Sequence, residues 1–343
     1  MKKLMPLILA IILILSFAQS GFAQVSKDEY FARSTLNENE LEFYDSCYNG
    51  ALQIHNNIDV SGYGIDLDQA SQVLSALFID SPELYFINFQ KELQSINNLV
   101  TSVSYSYDYP YNEVFNLNLQ LRKESSNILS LLTNDMTEYE KVKTIYTNLG
   151  ETIEYDTDSA DNKTGGISSK PARESQTIIG GLINKKAVCG GIARSLQYML
   201  YQIDIPCYCV IGQTDGENHV WNILQIDGQW YYADLTRDLD YIKHNMLLQF
   251  LYDDSFLEDH QIIQSQNPPL PACTSDKYMI QTQIIPEIKE IPLTGPALKE
   301  SLVTSANQFY AVYSSITWIC FAWAAIIAAA VVVLIVLIKK RVR

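Results

Sequence analysis

Three residues of this chain have the types needed for nucleophilic catalysis: Cys189, His219 and Asp234, all within Lys185–Asp240. A thiolate attacks an amide carbonyl. An imidazole generates that thiolate and later protonates the leaving amine. A carboxylate sets which imidazole nitrogen carries the proton and stabilises the charged ring. Such a set supports acyl transfer through an acyl-thioester, which an amine or water then resolves.

The neighbouring residues predict how these groups are held. Val188-Cys189-Gly190-Gly191 precedes a helical pattern, with Ile192, Leu196, Met199 or Leu200, and Ile203 on one face. Cys189 is therefore expected at a helix N-terminus, where unpaired N–H groups and the helix dipole favour a thiolate. Glycines are costly inside a helix, so Gly190 and Gly191 point to a close backbone approach. A lone cysteine on such a face is more often an inert core residue, and Cys189 points to catalysis only together with the other two groups. Asp227-Gly228 between alternating strands predicts a two-residue hairpin turn. In that register Ile226 faces Gln229, Trp221 faces Asp234, and His219 faces Thr236. His219 and Asp234 become diagonal neighbours, about 7–8 Å apart and bridgeable by their side chains. Asp234 shares its face with Trp230 and Tyr232, so it is expected to be buried and to need a partner. A purely structural His/Asp pair is the competing reading. The N–H of Cys189 is one expected oxyanion donor. The second is not assignable from the sequence, and Gln176 is no more than a guess for it.

The elements around this stretch follow from periodicity. Helices are expected over 37–52, 66–78 (capped by Asp66), 113–132 and 137–152, and strands over 84–89 and 99–107. A polar loop spans 155–174 and a short apolar segment 178–183. Strand or short helix is expected over 247–252, an acidic helix near 253–260, and a last strand over 278–285. His55 reads as a surface or strand histidine.

Composition bounds the function classes. The chain has 343 residues, 24 basic and 39 acidic, for a formal charge of −15. Such a surface repels phosphate backbones, so nucleic acid is excluded as a partner. Residues 1–23 have a signal-peptide pattern: a basic start, the apolar run Leu7–Leu15, and small residues at Gly21 and Ala23. Residues 316–338 carry no charge and span about 34 Å as a helix, enough for a bilayer core of ~30 Å. Lys339, Lys340, Arg341 and Arg343 follow, which predicts a cytoplasmic C-terminus and an extracellular remainder. The expected organisation is a signal peptide (1–23), an N-terminal α+β accessory region (24–134), a catalytic-type domain (135–285), a stalk (286–315), a single membrane helix (316–338) and a basic tail (339–343). Ile291-Pro292-Leu293-Thr294-Gly295 resembles a sortase signal but lies too far from the apolar run to act as one. Cys47, Cys207, Cys209 and Cys273 either form one disulfide or stay free and buried. No Cys/His spacing matches a zinc site, and no cofactor is expected.

Over 135–285 the sequence resembles the transglutaminase-like superfamily, in its bacterial secreted branch. The resemblance rests on Ala187-Val188-Cys189-Gly190-Gly191-Ile192-Ala193, Gly212, His219-Val220-Trp221-Asn222, and Gly228-Gln229-Trp230-Tyr231-Tyr232-Ala233-Asp234-Leu235-Thr236. Glu154-Tyr155-Asp156, Phe250-Leu251, His260 and Pro271-Ala272-Cys273 add to it, and Ser81-Pro82-Glu83-Leu84-Tyr85 resembles the accessory region of such proteins. The resemblance implies a papain-like α+β fold, in which a helix carrying the cysteine packs on an antiparallel sheet carrying the other two groups. It also implies a Cys189/His219/Asp234 triad acting on protein or peptide amides. Arg237 stands where the family often has tryptophan, and the calcium sites of animal transglutaminases have no counterpart. Since family members include inactive forms, the alternative is a surface-anchored binding ectodomain with the same fold.

Overall fold

The computed structural model describes residues 30–161 and 169–279. The expected signal peptide, stalk, membrane helix and most of the last strand lie outside the described residues. Among the described residues no helix is long and apolar enough to cross a membrane.

Helix α1 (Glu38–Leu52) begins at a capping box: the Asn37 side chain accepts from the Glu40 N–H, and the Glu40 carboxylate accepts from the Asn37 N–H. Strand β1 is Asn57–Asp59. Helix α2 (Leu67–Asp80) starts with the same device between Asp66 and Gln69. The expected strand 84–89 is corrected. Pro82–Leu84 forms a 3-10 turn, and strand β2 runs Ile87–Ile96. The apolar run Leu84–Phe86 is buried as a docked turn rather than a paired ladder. Strand β3 (Leu99–Tyr107) completes an antiparallel sheet of order β1-β3-β2. Helix α3 (Tyr111–Leu129) begins after Pro110, and α4 (Glu138–Thr152) after a Thr137/Glu140 capping box.

Strand β4 (Glu154–Tyr155) pairs in parallel with β5 (Lys186–Ala187). The end of the stretch expected as a polar loop, 155–174, enters helix α5 (Lys170–Ser175), which starts where Ser169 accepts from the Ala172 N–H and Pro171 occupies the first turn. The segment Ile179–Asn184 is π-helical and ends at Lys185 in the left-handed region (φ 54°). Helix α6 is Cys189–Tyr201. Strands β6 (Cys207–Thr214), β7 (Glu217–Ile226) and β8 (Gln229–Ala233) follow, then helix α7 (Leu235–Ile242) and strand β9 (Phe250–Tyr252). The expected acidic helix is a 3-10 segment, Asp254–Glu258, before strand β10 (His260–Ile262). These strands form one antiparallel sheet of order β10-β6-β7-β8-β9.

The hairpin register matches the expected one: Ile226 pairs with Gln229 and Asn222 with Ala233. Both turn residues have positive φ, 50° at Asp227 and 74° at Gly228, as a type I′ turn requires. One part of the expectation fails. Strand β8 stops at Ala233, so Thr236 does not face His219. Asp234 instead caps α7, its carboxylate accepting from the Arg237 N–H at 3.1 Å. Capping satisfies an orphan helix donor, which a continued strand could not do.

Ile192, Leu196, Met199 and Leu200 of α6 share one buried cluster with Leu224, Ile226, Tyr231 and Ala233 of the sheet. Residues of α1, α2 and α4 belong to the same cluster, so the N-terminal region and the sheet share one core. Polar contacts tie that region to the elements around Cys189. The Arg194 guanidinium donates to the Phe78 carbonyl at 2.5 Å, Arg173 pairs with Asp108 at 2.6 Å, and the Tyr109 hydroxyl donates to Glu174 at 2.7 Å.

Candidate active site

Cys189 is the first residue of α6, with Val188 as an extended N-cap. The first rung of the helix runs from the Ile192 N–H to the Val188 carbonyl. The N–H groups of Cys189, Gly190 and Gly191 therefore precede the ladder and are aimed out of the helix end. The helix start is held from outside: the Val188 N–H is shared between the carbonyl and hydroxyl of Ser175, both at 3.1 Å. The glycine pair is explained by this docking. A Cβ at Gly191 would lie 2.2 Å from the Ser175 carbonyl oxygen, and one at Gly190 would lie 2.4 Å from Gln176 Oε1. Gln176 thus lies against the backbone immediately after Cys189.

His219 is on β7, and its Nε2 lies 2.7 Å from Asp234 Oδ2. Asp234 is fully buried and its carboxyl is held down at about 2. Burial opposes this, and hydrogen bonds from His219, His260 and the Arg237 N–H overcome it. An ionised carboxylate only accepts, so the His219 Nε2 carries the hydrogen. In the neutral ring Nδ1 is then a bare base, available to the thiol. Burial disfavours the charged His219 ring, but hydrogen bonding to Asp234 and to Cys189 raises it to about 9. Cys189 and Asp234 thus act on the same ring. Trp221 stacks beside His219, with centroids 6.1 Å apart. The Asn222 carboxamide donates to the Ala193 carbonyl at 3.0 Å and pins β7 against the cysteine helix.

The three residues expected from the sequence are therefore brought together. His260 of β10 joins them without having been assigned a role, its Nε2 3.3 Å from the same Asp234 Oδ2. It comes from the sheet edge, 26 residues after Asp234, and no local pattern predicts that contact. Among the described residues, His219, Asp234 and His260 bring possible metal-ligand atoms within 4.8 Å of one another. Both imidazoles bond one carboxylate oxygen, which makes the trio a hydrogen-bonded unit. Asp238, one turn into α7, is a structural acid. It accepts from the Leu248 and Gln249 N–H groups and from the Tyr146 hydroxyl, and burial raises it to about 6. Arg237, at the position where tryptophan was noted, donates to Thr214 Oγ1 at 2.6 Å and pairs with Asp215.

Beside Cys189 is a cleft of about 220 Å³, lined by Ile79, Gln176, Gly190, Arg194, Ile211 and Val220 among others. Gly190 directly follows Cys189, Val220 directly follows His219, and Ile79 comes from α2, so the N-terminal region supplies one wall. Cys189 is partly accessible, whereas Cys47, Cys207, Cys209 and Cys273 are buried, and all five are free. Burial pushes Cys47 and Cys209 up to about 12 and raises Cys207 and Cys273 as well. These four are poor nucleophiles.

Residues 128–235 match the family model of the transglutaminase-like superfamily. Two solved structures are similar. One is described as a TGase, with 17% identity, 50% of this chain and 48% of that chain covered, and a TM-score of 0.30. The other is a candidate cysteine protease from Cytophaga hutchinsonii, with 16% identity, 51% and 65% covered, and a TM-score of 0.29. The aligned parts are less than two thirds of either protein's length. No match is found among curated proteins. The mixed α/β architecture, with helix α6 on an antiparallel sheet, is consistent with that core, and the chain carries a transglutaminase-like superfamily domain over residues 128–235.

Proposed function

We propose that the chain is a cysteine acyl-transfer enzyme acting on protein or peptide amides through Cys189, His219 and Asp234. The observation that carries this reading is the convergence on His219 of a carboxylate at 2.7 Å and the Cys189 thiol at a helix start. The bare Nδ1 takes the thiol proton, and the imidazolium formed is held by Asp234. The thiolate then attacks the amide carbonyl. The oxyanion is stabilised by the Cys189 N–H and by an Nε2–H of Gln176, whose carboxamide oxygen lies against Gly190. His219 passes its proton to the leaving amine, leaving an acyl-thioester for an amine or water to resolve. The cleft beside Gly190 and Val220 receives the acyl side of the substrate.

The same reading places the domain outside the cell on a single C-terminal span, supported by the residue patterns at 1–23 and 316–343. Protease added to intact cells should remove the domain, and full protection would contradict this placement. To test the reaction, the full-length chain is incubated with a glutamine-containing protein and a fluorescent primary amine. Amine incorporation or new peptide termini are expected, and their ratio separates transfer from hydrolysis. If neither forms and Cys189 alkylates like an ordinary thiol, the proposal fails.

A further inference from the structure

The geometry points to a fourth member of the site. We infer that His260 is a positioning residue that, as an imidazolium donating from both ring nitrogens, holds Asp234 in place for His219. This rests on the triad reading above.

The inference follows from donor and acceptor counting. His260 is 1% exposed, so water does not complete its hydrogen bonds. Its Nδ1 lies 3.2 Å from the Phe256 carbonyl oxygen, and its Nε2 lies 3.3 Å from Asp234 Oδ2. Both partners are acceptors. A neutral imidazole has one N–H and one lone pair, and either tautomer would set that lone pair against an oxygen in a dry site. Only the doubly protonated ring satisfies both contacts. The ring is held where it can do so: it stacks on Phe256 with centroids 3.7 Å apart and meets Trp221 edge-on at 4.9 Å.

The charge balance agrees. A reactive site contains the Cys189 thiolate, the His219 imidazolium and the Asp234 carboxylate, a net charge of minus one. A cationic His260 brings the sum to zero inside a buried site, where an unbalanced charge is costly. The charged and titratable groups around His260 are Asp234 and His219 in direct range, with Cys189 beyond His219. Arg237, paired with Asp215, donates to Asp234 from its backbone. Cys209 and Tyr208 of the neighbouring β6 are buried. Asp254, Glu258 and Asp259 on the adjoining segment are exposed to solvent, and Asp253 partly so. Removing the His260 cation leaves the site with its net charge of minus one. That stabilises the protonated forms of Cys189 and His219 and moves both limbs of the reactive window to higher pH.

Two measurements on the full-length chain test this. The chain has four histidines, so ¹⁵N-histidine labelling gives an assignable set, with His260→Gln identifying the His260 signals. At neutral pH both His260 nitrogens of the unsubstituted protein are expected in the protonated range. One protonated and one bare nitrogen would overturn the inference, and this readout needs no catalytic activity. The second measurement is the pH profile of Cys189 alkylation by iodoacetamide in His260→Gln and His260→Phe. The acid limb is expected to rise by about one pH unit in both. A uniform loss of rate with the limb unmoved would mark His260 as packing only. A flat, ordinary-thiol profile in the unsubstituted protein, with His260 doubly protonated, would instead defeat the triad reading.

Discussion

Cys189→Ser is expected to lower turnover on an amide substrate by about 10⁴-fold or more while leaving the fold intact. The exchange is close to isosteric, and residue 189 is partly accessible at the helix start, so no core packing is lost. The chemistry changes completely. Beside His219 a thiol ionises far more readily than a hydroxyl, and the helix start favours the resulting anion. The four other described cysteines cannot substitute, since burial raises each of them away from ionisation. The check is turnover together with a thermal melt. Turnover within tenfold of the unsubstituted protein would show that the reaction does not pass through this sulfur.

Asp234→Ala is expected to damage both stability and activity. The carboxylate is fully buried and accepts from His219, His260 and the Arg237 N–H. Its loss leaves two buried imidazoles without their anion, at a cost of about 3–5 kcal/mol, and removes a helix cap, costing about 1 kcal/mol more. Asp234→Asn keeps the volume and an acceptor for the cap, so it should melt closer to the unsubstituted protein. It should still lose turnover by about 10³–10⁴-fold, because the charge that sets the His219 tautomer is gone.

The dependence of stability on pH follows from the same groups. Asp234 is depressed to about 2, so its contribution is present above its ordinary value near 3.8 and is lost as the pH falls toward 2. His219 is raised to about 9, so its contribution is full below its ordinary value near 6.5 and is lost as the pH rises through 9. The joint contribution of Asp234 and His219 should be greatest between about pH 4 and 6.5, and Asp234→Ala should flatten both of its flanks. Melts of the two proteins across this range decide it. Flanks of equal slope in both would contradict the role given to Asp234.

What the sequence made legible was local. The Gly190-Gly191 pair after Cys189 announced a close approach, and it proved to be the docking of α6 on Ser175 and Gln176. The Asp227-Gly228 turn carried the hairpin register, because strand alternation leaves one pairing that buries the right face. The end of β8 was not legible. Asp234 continues the alternating pattern of Trp230 and Tyr232, yet a helix cap stabilises it more than another ladder position would. Gln176 could not be ranked among donors, since its place depends on α5, a helix hidden in a polar stretch. His260 could not be assigned, since the pairing of β10 with β6 is non-local and nothing near His260 names Asp234 as its partner.

The proposed ion pair between Cys189 and His219 is read out by the rate of Cys189 alkylation against pH. The full-length chain is treated with iodoacetamide across about pH 5–8 and the modified cysteine is mapped. Cys189 is expected to be labelled ahead of the buried cysteines, to react rapidly below pH 7, and to be slowed there by His219→Ala. Labelling of Cys189 that rises only near the ordinary thiol pKa of about 8.5, and is unchanged in His219→Ala, would contradict it.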